Sequence, residues 1–171
     1  YGDVMYAAEN GLMNGTSGST FSPLENLTRA QLTAVLYRMD GSPAVSGTCS
    51  FTDAKRGAYY ADALVWAERN ALVNGYGSGA FGVGDAITRE QLVTILYRYA
   101  AYKGIDVSAR ADLSGYRDAE KISGYARDAF GWAVEAGLIC GSGDLLNPQG
   151  RTTRAEYAAI AARFHKTFIA K

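Results

Sequence analysis

The 171-residue sequence predicts a mostly all-α fold in which three helix–loop–helix repeats surround a shared helical core. Three observations predict it. One helix-start motif occurs three times, a Leu-x-x-Gly segment recurs ahead of each copy, and apolar residues in between follow helical spacing. The motif copies are 60 and 65 residues apart, and such self-similarity is the signature of a repeat architecture.

The helix-start motif occupies residues 27–31, 87–91 and 152–156. In each copy a threonine is placed to act as the N-cap, with its hydroxyl accepting from the backbone N–H three residues on. The Gln or Glu at that third position can reach back to the N–H of the cap, which completes a capping box. The motif therefore predicts the start of the second helix in every repeat.

An arginine follows the capping threonine each time, as Arg29, Arg89 and Arg154. A cation in the first helical turn lies at the positive end of the helix dipole, which costs about 0.3–1 kcal/mol. A capping box needs nothing from this position, so we expect a negative group beside each arginine. Two compatible interpretations follow: an internal carboxylate, for which Asp53 and Asp118 are the natural partners, or an acidic ligand.

The first helix of the second repeat carries Tyr60, Leu64 and Ala67 on one apolar stripe. Trp66 falls at the edge of that stripe, and Trp132 takes the matching place in the third repeat. An aromatic residue at the edge of a stripe is half-buried by default. The alternative is that these rings form stacking platforms for a sugar.

The glycine-rich loops between the two helices of each repeat have one apolar residue near the centre. We expect this residue to insert into the core while glycines supply the positive φ angles. The loops lack the Gly-Lys-Ser/Thr ending of a phosphate-binding loop. The apolar residues are Phe21, Phe81 and Leu146, in loops 15–23, 75–84 and 141–148.

The repeats are predicted over residues 1–40, 51–102 and 113–171, together forming one structural domain, with the first repeat incomplete at its N-terminus. A helix pair of this size cannot bury its apolar stripe alone, so the repeats must share a core. Three copies favour a closed, pseudo-threefold arrangement with equivalent grooves between neighbouring repeats.

The composition excludes several classes of function. Seventeen Lys and Arg balance seventeen Asp and Glu, which argues against a nucleic-acid binder. No apolar run approaches the ~20 residues of a membrane-spanning helix, so membrane insertion is not expected. His165 has no acidic or cysteine partner at ligand spacing, so we expect no metal and no cofactor. Whether Cys49 and Cys140 pair stays open.

An enzyme is also not expected. A glycosidase needs two carboxylates about 5–10 Å apart across the scissile bond, whereas the repeated acidic positions occur one per repeat beside arginines. A single histidine close to the C-terminus leaves no Ser-His-Asp or Cys-His set.

The repeated pattern resembles the S-layer homology (SLH) domain family over nearly the whole chain. A lone Thr-Arg-Ala-Glu would mean little, but three copies in register with other shared elements are a specific match. In the second repeat these elements are Phe51-x-Asp53, Trp66-Ala67, Leu72-x-Asn74-Gly75-Tyr76-Gly77 with Phe81, and Ile87-Thr88-Arg89-Glu90-Gln91 leading to Leu96-Tyr97-Arg98.

The resemblance implies a three-pronged helical spindle that attaches a bacterial surface protein non-covalently to the cell wall. The implied location is extracellular, and the implied ligand is a secondary cell wall polysaccharide, typically with pyruvylated N-acetylmannosamine. Other domains of the parent surface protein are further expected partners. The ligand-binding residues predicted for the grooves between repeats are Arg29, Arg89, Arg154, Asp53, Asp118, Trp66, Trp132, Tyr60, Gly75 and Tyr76.

The third repeat departs from the second, with Gly141-Ser142 where the second has Gly75-Tyr76. We therefore expect the three grooves to bind unequally. The alternative function is a structural or protein–protein interaction module of a surface-layer assembly, for which concentration-dependent oligomers without sugar binding would be the sign.

Overall fold

The structure is a computed structural model that describes residues 2–15 and 20–170. Six α-helices dominate it, and within the described residues there is no β-sheet, which confirms the all-α prediction. Short 3₁₀ helices at Ala119–Lys121 and Gly124–Ala126 lead into the fifth helix, and a π-helical turn at His165–Ile169 follows the sixth. The helices are α1 Gly2–Glu9, α2 Arg29–Met39, α3 Ala61–Arg69, α4 Arg89–Tyr102, α5 Arg127–Glu135 and α6 Arg154–Phe164.

The three predicted capping boxes are all present, at the starts of α2, α4 and α6. In α2 the hydroxyl of Thr28 accepts from the N–H of Gln31 at 3.2 Å, and the amide oxygen of Gln31 accepts from the N–H of Thr28 at 3.0 Å. Each capping threonine has an extended backbone, as an N-cap requires. The repeated motif therefore starts a helix wherever it occurs.

Helices pair between repeats rather than within them. The second helix of each repeat packs against the first helix of the next repeat, giving the pairs α2–α3 and α4–α5. The pair α6–α1 closes the cycle, because the last helix packs against the first one. Each repeat thus buries its apolar stripes against two neighbours, as the shared-core argument predicted.

A ring of three backbone hydrogen bonds joins the repeats just before the capping boxes. The N–H of Leu27 donates to Thr152 at 2.8 Å, that of Thr152 to Ile87 at 3.1 Å, and that of Ile87 back to Leu27 at 2.9 Å. All three residues are fully buried. The helix starts of the three repeats therefore meet at one pseudo-threefold centre, while the three-pronged outline implied by the resemblance stays a prediction.

The apolar residues of the glycine-rich loops insert into the core as predicted. Phe81 and Leu146 are fully buried, and Phe21 is half-buried against the same core. Each insertion draws its loop against the helix start of the preceding repeat, which sets up the grooves described next.

Cys49 and Cys140 are both free thiols.

Candidate functional site

Three grooves lie between neighbouring repeats, and each is lined by equivalent positions. One repeat supplies its helix-start arginine, and the next supplies its loop and one face of its second helix. The cavities measure about 430 Å³ in groove A, about 400 Å³ in groove B and about 200 Å³ in groove C. Groove A is lined by Asn14, Gln31, Arg38, Tyr59 and Arg154, groove B by Arg29, Asn74, Gln91, Arg98 and Tyr125, and groove C by Arg89, Cys140, Glu156 and Arg163.

The helix-start arginines reach across the repeat boundary to backbone carbonyls of the neighbouring loop. In groove B, Arg29 donates from Nε to Phe81 O at 2.8 Å and from Nη2 to Asn74 O at 2.9 Å. The same pair of bonds recurs at the equivalent positions of the other grooves. In groove A, Arg154 donates to Phe21 O at 2.9 Å and Asn14 O at 2.7 Å, and in groove C, Arg89 donates to Leu146 O at 2.8 Å and Cys140 O at 3.4 Å.

These arginines are largely withdrawn from solvent. Arg29 is 5% and Arg154 4% exposed. The guanidinium of Arg29 also lies over the rings of Phe81 and Tyr76, at 4.5 and 4.9 Å from their centroids. Burial lowers the pKa of both arginines from its ordinary value. The negative group expected beside each arginine is thus, in the first place, a pair of carbonyl oxygens.

Asp53 and Asp118 do not bond to the arginines, so the expectation of direct carboxylate partners is wrong. Asp53 accepts from the backbone N–H groups of Phe81, Gly82 and Val83 at 2.7, 2.8 and 2.9 Å. Asp118 accepts from the N–H of Leu146 at 2.8 Å and from the N–H of Asn147 at 2.7 Å. Each carboxylate therefore satisfies backbone N–H groups of the loop in its own repeat.

Asp53 and Arg29 therefore hold opposite ends of one loop residue. The aspartate binds the N–H of Phe81 from its own repeat, and the arginine binds the C=O of Phe81 from the preceding repeat. Burial alone would raise the pKa of Asp53, but the three backbone hydrogen bonds outweigh it and the pKa is lowered. The bonds therefore stabilise the ionised carboxylate.

Trp66 and Trp132 belong to the core, which corrects the alternative that they form sugar platforms, and Tyr60, predicted to line a groove, is also buried. They are 3%, 2% and 8% exposed. The indole N–H of Trp66 donates to Asp40 at 3.2 Å, and Trp132 packs edge-on against Tyr97. Neither indole therefore presents a face to solvent.

Gly75 and Tyr76 line groove B. A Cβ on Gly75 would lie 2.9 Å from Ala80 O and 2.9 Å from a ring carbon of Phe51, so only glycine fits the loop there. The Tyr76 hydroxyl donates to Asp85 at 2.9 Å, which holds its ring against Arg29. Gly75 shapes the wall of the groove, and Tyr76 offers it an exposed aromatic edge.

A second arginine lines every groove, and the site predicted from the sequence did not include it. Arg38, Arg98 and Arg163 each follow the helix-start arginine by nine residues. They lie on the helix face that also carries the Gln or Glu of the capping box, because the two positions are seven residues apart. The signal was available, since an arginine recurs at this position in all three repeats.

The two tyrosines on the groove rims were also missed. Tyr59 and Tyr125 occupy equivalent positions just before α3 and α5, and they are 66% and 57% exposed. The hydroxyl of Tyr125 donates to Glu90 at 3.0 Å, and that carboxylate is itself 4% exposed. Partial burial together with Glu90 raises the pKa of Tyr125 to about 12, so it stays protonated. Sequence reasoning chose Tyr60, one position along, because it lies on the apolar stripe.

Other classes of site are not found in the part of the chain that the structure describes. No group of three or more His, Cys, Asp or Glu residues there could hold a metal ion. Nor is any described helix long and apolar enough to cross a membrane.

The closed ring of capped helices and its grooves define a tandem-repeat helical module. The family model for the S-layer homology domain matches residues 1–33, 50–93 and 115–158, which is more than half of the chain. The chain belongs to the S-layer homology domain family.

Curated relatives share this region over most of the chain. An endoglucanase of Bacillus sp. (strain KSM-635) is 33% identical over 89% of this chain, which spans 16% of that protein. A surface-layer 125 kDa protein of Lysinibacillus sphaericus is 26% identical over 94% of the chain and 13% of its own length. A cellulosome-anchoring protein of Acetivibrio thermocellus is 26% identical over 88% of the chain and 34% of its own length. The chain thus spans about a third or less of these relatives.

Membership of this family places the chain at the bacterial cell surface or in the cell wall, as predicted. The S-layer homology domain is a cell-wall-binding module and not a catalytic one. The relative named as an endoglucanase is much longer than the region that it shares with this chain.

Proposed function

We propose that the chain anchors a surface protein to the cell wall by binding an acidic, pyruvylated secondary cell wall polysaccharide in its inter-repeat grooves. The observation that carries this proposal is the lining of grooves A and B. Each combines two arginines, a capping-box glutamine and an exposed tyrosine around a cavity of about 400 Å³ or more.

The groove chemistry matches that of an acidic sugar. A pyruvate ketal bears a carboxylate, for which a guanidinium is a strong charge-assisted donor. Amide groups of Asn and Gln match ring hydroxyls and an acetamido group, and a tyrosine ring can cover an apolar sugar face. The cavity volumes fall within the ~300–1,000 Å³ of small-ligand sites, which is enough for a terminal sugar.

The relatives support an anchoring role for a shared module. Their names describe surface-layer, cellulosome-anchoring and carbohydrate-degrading proteins, yet they share this same region. A module that recurs beside such different partners is suited to attachment rather than to any one reaction. The other domains of the parent protein would then be the cargo.

The proposal is tested by a pull-down of the chain with purified wall polysaccharide, before and after the pyruvate ketals are removed by mild acid. We expect binding to the intact polymer and its loss after removal, with mock-treated polymer as the control. Binding should weaken as salt rises from 50 to 500 mM, because exposed charges are screened. Equal binding to both polymers contradicts the acidic ligand. Concentration-dependent oligomers with no polymer binding would favour the protein–protein alternative.

A further inference from the structure

We infer that Arg38 in groove A and Arg98 in groove B take the ligand carboxylate, and that groove C takes none. This inference rests on the proposed function and identifies the groups that perform it. It separates the two arginines of each groove by role, with the helix-start arginine holding the loop and the second arginine left for the ligand.

The helix-start arginines are already engaged with the protein. Arg29 and Arg154 each donate two hydrogen bonds to carbonyls of the neighbouring loop and are about 95% buried. Those bonds use two of the five N–H donors of each guanidinium, and pulling the group away from the loop toward a ligand would break them and leave two carbonyls without a donor. Each such loss costs about 1–3 kcal/mol when the group is buried.

The second arginines of grooves A and B are unengaged. Within the described residues, the guanidinium of neither Arg38 nor Arg98 has a hydrogen bond or an ion pair, and the Nε of Arg38 is buried without a partner. Buried polar atoms are nearly always satisfied, so an unpaired guanidinium nitrogen beside an open cavity indicates a missing acceptor. A carboxylate is the acceptor that a guanidinium fork fits best.

The surroundings of these two arginines favour an anion. Neither groove A nor groove B has an acidic side chain among its described lining residues, although Glu90 and Asp85 lie behind groove B, bonded to Tyr125 and Tyr76. Tyr59 lies close enough to Arg38 and Arg154 for both charges to act on its pKa, and Tyr125 stands in the same relation to Arg98 and Arg29. The rim tyrosine lines the same groove as both arginines, so a sugar bound against it would have its carboxylate within reach of the unengaged one.

Groove C differs from grooves A and B in its second arginine, in its capping-box residue and in its volume. Arg163 donates to Leu138 O at 3.1 Å, so the second arginine is engaged here. Glu156 replaces the glutamine of the other grooves, and its charge acts on Arg89. The cavity is about 200 Å³, roughly half the size of the others. An anion entering groove C meets a carboxylate and no unpaired guanidinium.

The test measures affinity for purified pyruvylated wall polymer by isothermal titration calorimetry, using Arg38→Gln, Arg98→Gln, the double variant and Arg163→Gln. We expect each of the first two to lose roughly tenfold at its own groove and the double variant to lose detectable binding, since a charge-assisted bond contributes about 1.5–3 kcal/mol. Arg163→Gln should change the affinity less than about twofold. Thermal melting of each variant verifies folding, which we expect to persist because no hydrogen bond of Arg38 or Arg98 within the described chain is removed.

The outcomes separate the two proposals. If the wild-type chain does not bind the intact polymer, the proposed function fails and this inference with it. If the wild type binds and the double variant binds equally well, the function stands and the inference is overturned. A loss in Arg163→Gln as large as that in Arg98→Gln would also overturn it, because groove C would then be an equal site.

Discussion

In grooves A and B, the loop side and the helix side each carry an arginine, but the two arginines have different roles. On the loop side, Arg29 is buried and donates to two carbonyls of the next repeat. On the helix side, Arg98 is half-exposed, and its guanidinium has no hydrogen bond in the described chain. Both are arginines of one groove, yet one closes the ring of repeats and the other is available to a ligand.

The difference teaches that available acceptors, more than charge, decide what an arginine does. Backbone carbonyls lie within reach of the helix start because the neighbouring loop is drawn in by its buried apolar residue, as Phe81 shows. In grooves A and B, no backbone carbonyl of the described chain accepts from the arginine nine residues later. The helix dipole disfavours a cation at the helix start, but the arginine there joins neighbouring repeats through its bonds to loop carbonyls.

The largest expected difference between Arg29 and Arg98 is in their contribution to stability. Arg29→Met keeps most of the side-chain volume but leaves two carbonyls of the loop without their donor, so we expect the free energy of unfolding to fall by about 2–4 kcal/mol. The matched change Arg98→Met should shift it by no more than about 0.5 kcal/mol. Urea denaturation followed by circular dichroism measures both. Equal losses of unfolding free energy in the two variants would contradict different roles for the two arginines.

A smaller effect concerns the carboxylate that holds the same loop. Asp53→Ala removes the acceptor of three backbone N–H groups, so at pH 7 we expect a loss of about 1–3 kcal/mol in the free energy of unfolding. Glu120→Ala is the control, because Glu120 is 92% exposed and its ion pair at 3.4 Å contributes little.

The stability difference between Asp53→Ala and wild type should depend on pH. The pKa of Asp53 is lower in the folded chain than its unfolded value of about 3.9, so its contribution is present above that value and is lost as pH falls through the folded pKa. We therefore expect the difference to narrow from pH 5 to pH 2. A difference that stays constant over this range would contradict a role for the ionised carboxylate.

Much of the fold could be predicted from the sequence because local signals and the repeat agreed. The capping boxes, with Thr28 and Gln31 as the example, have a fixed residue spacing that is visible in the chain. The burial of Phe81 followed from one apolar residue in a glycine-rich loop. Closure of the ring followed from three equal repeats that cannot bury their stripes alone.

The site was predicted less well, because it depends on contacts between repeats. No sequence pattern distinguishes a carboxylate from a backbone carbonyl as the partner of Arg29, so Asp53 was paired with the wrong group. The exposure of Trp66 depends on how closely α3 packs against α2, which helical periodicity does not set. Arg98 was not assigned to the site, although an arginine recurs at this position in every repeat. Helix electrostatics disfavour a cation only at the helix start, so they single out Arg29 and not Arg98.

The most direct test of the account is an NMR titration of the arginine side-chain Nε–H signals with a pyruvylated N-acetylmannosamine monosaccharide. The account predicts saturable shifts for Arg38 and Arg98, with the signal of Arg163 unmoved. The Nε–H of Arg29 and Arg154 should keep the shifts of groups bonded to loop carbonyls. Shifts confined to the helix-start arginines, or no shifts at all at saturating sugar, would contradict it.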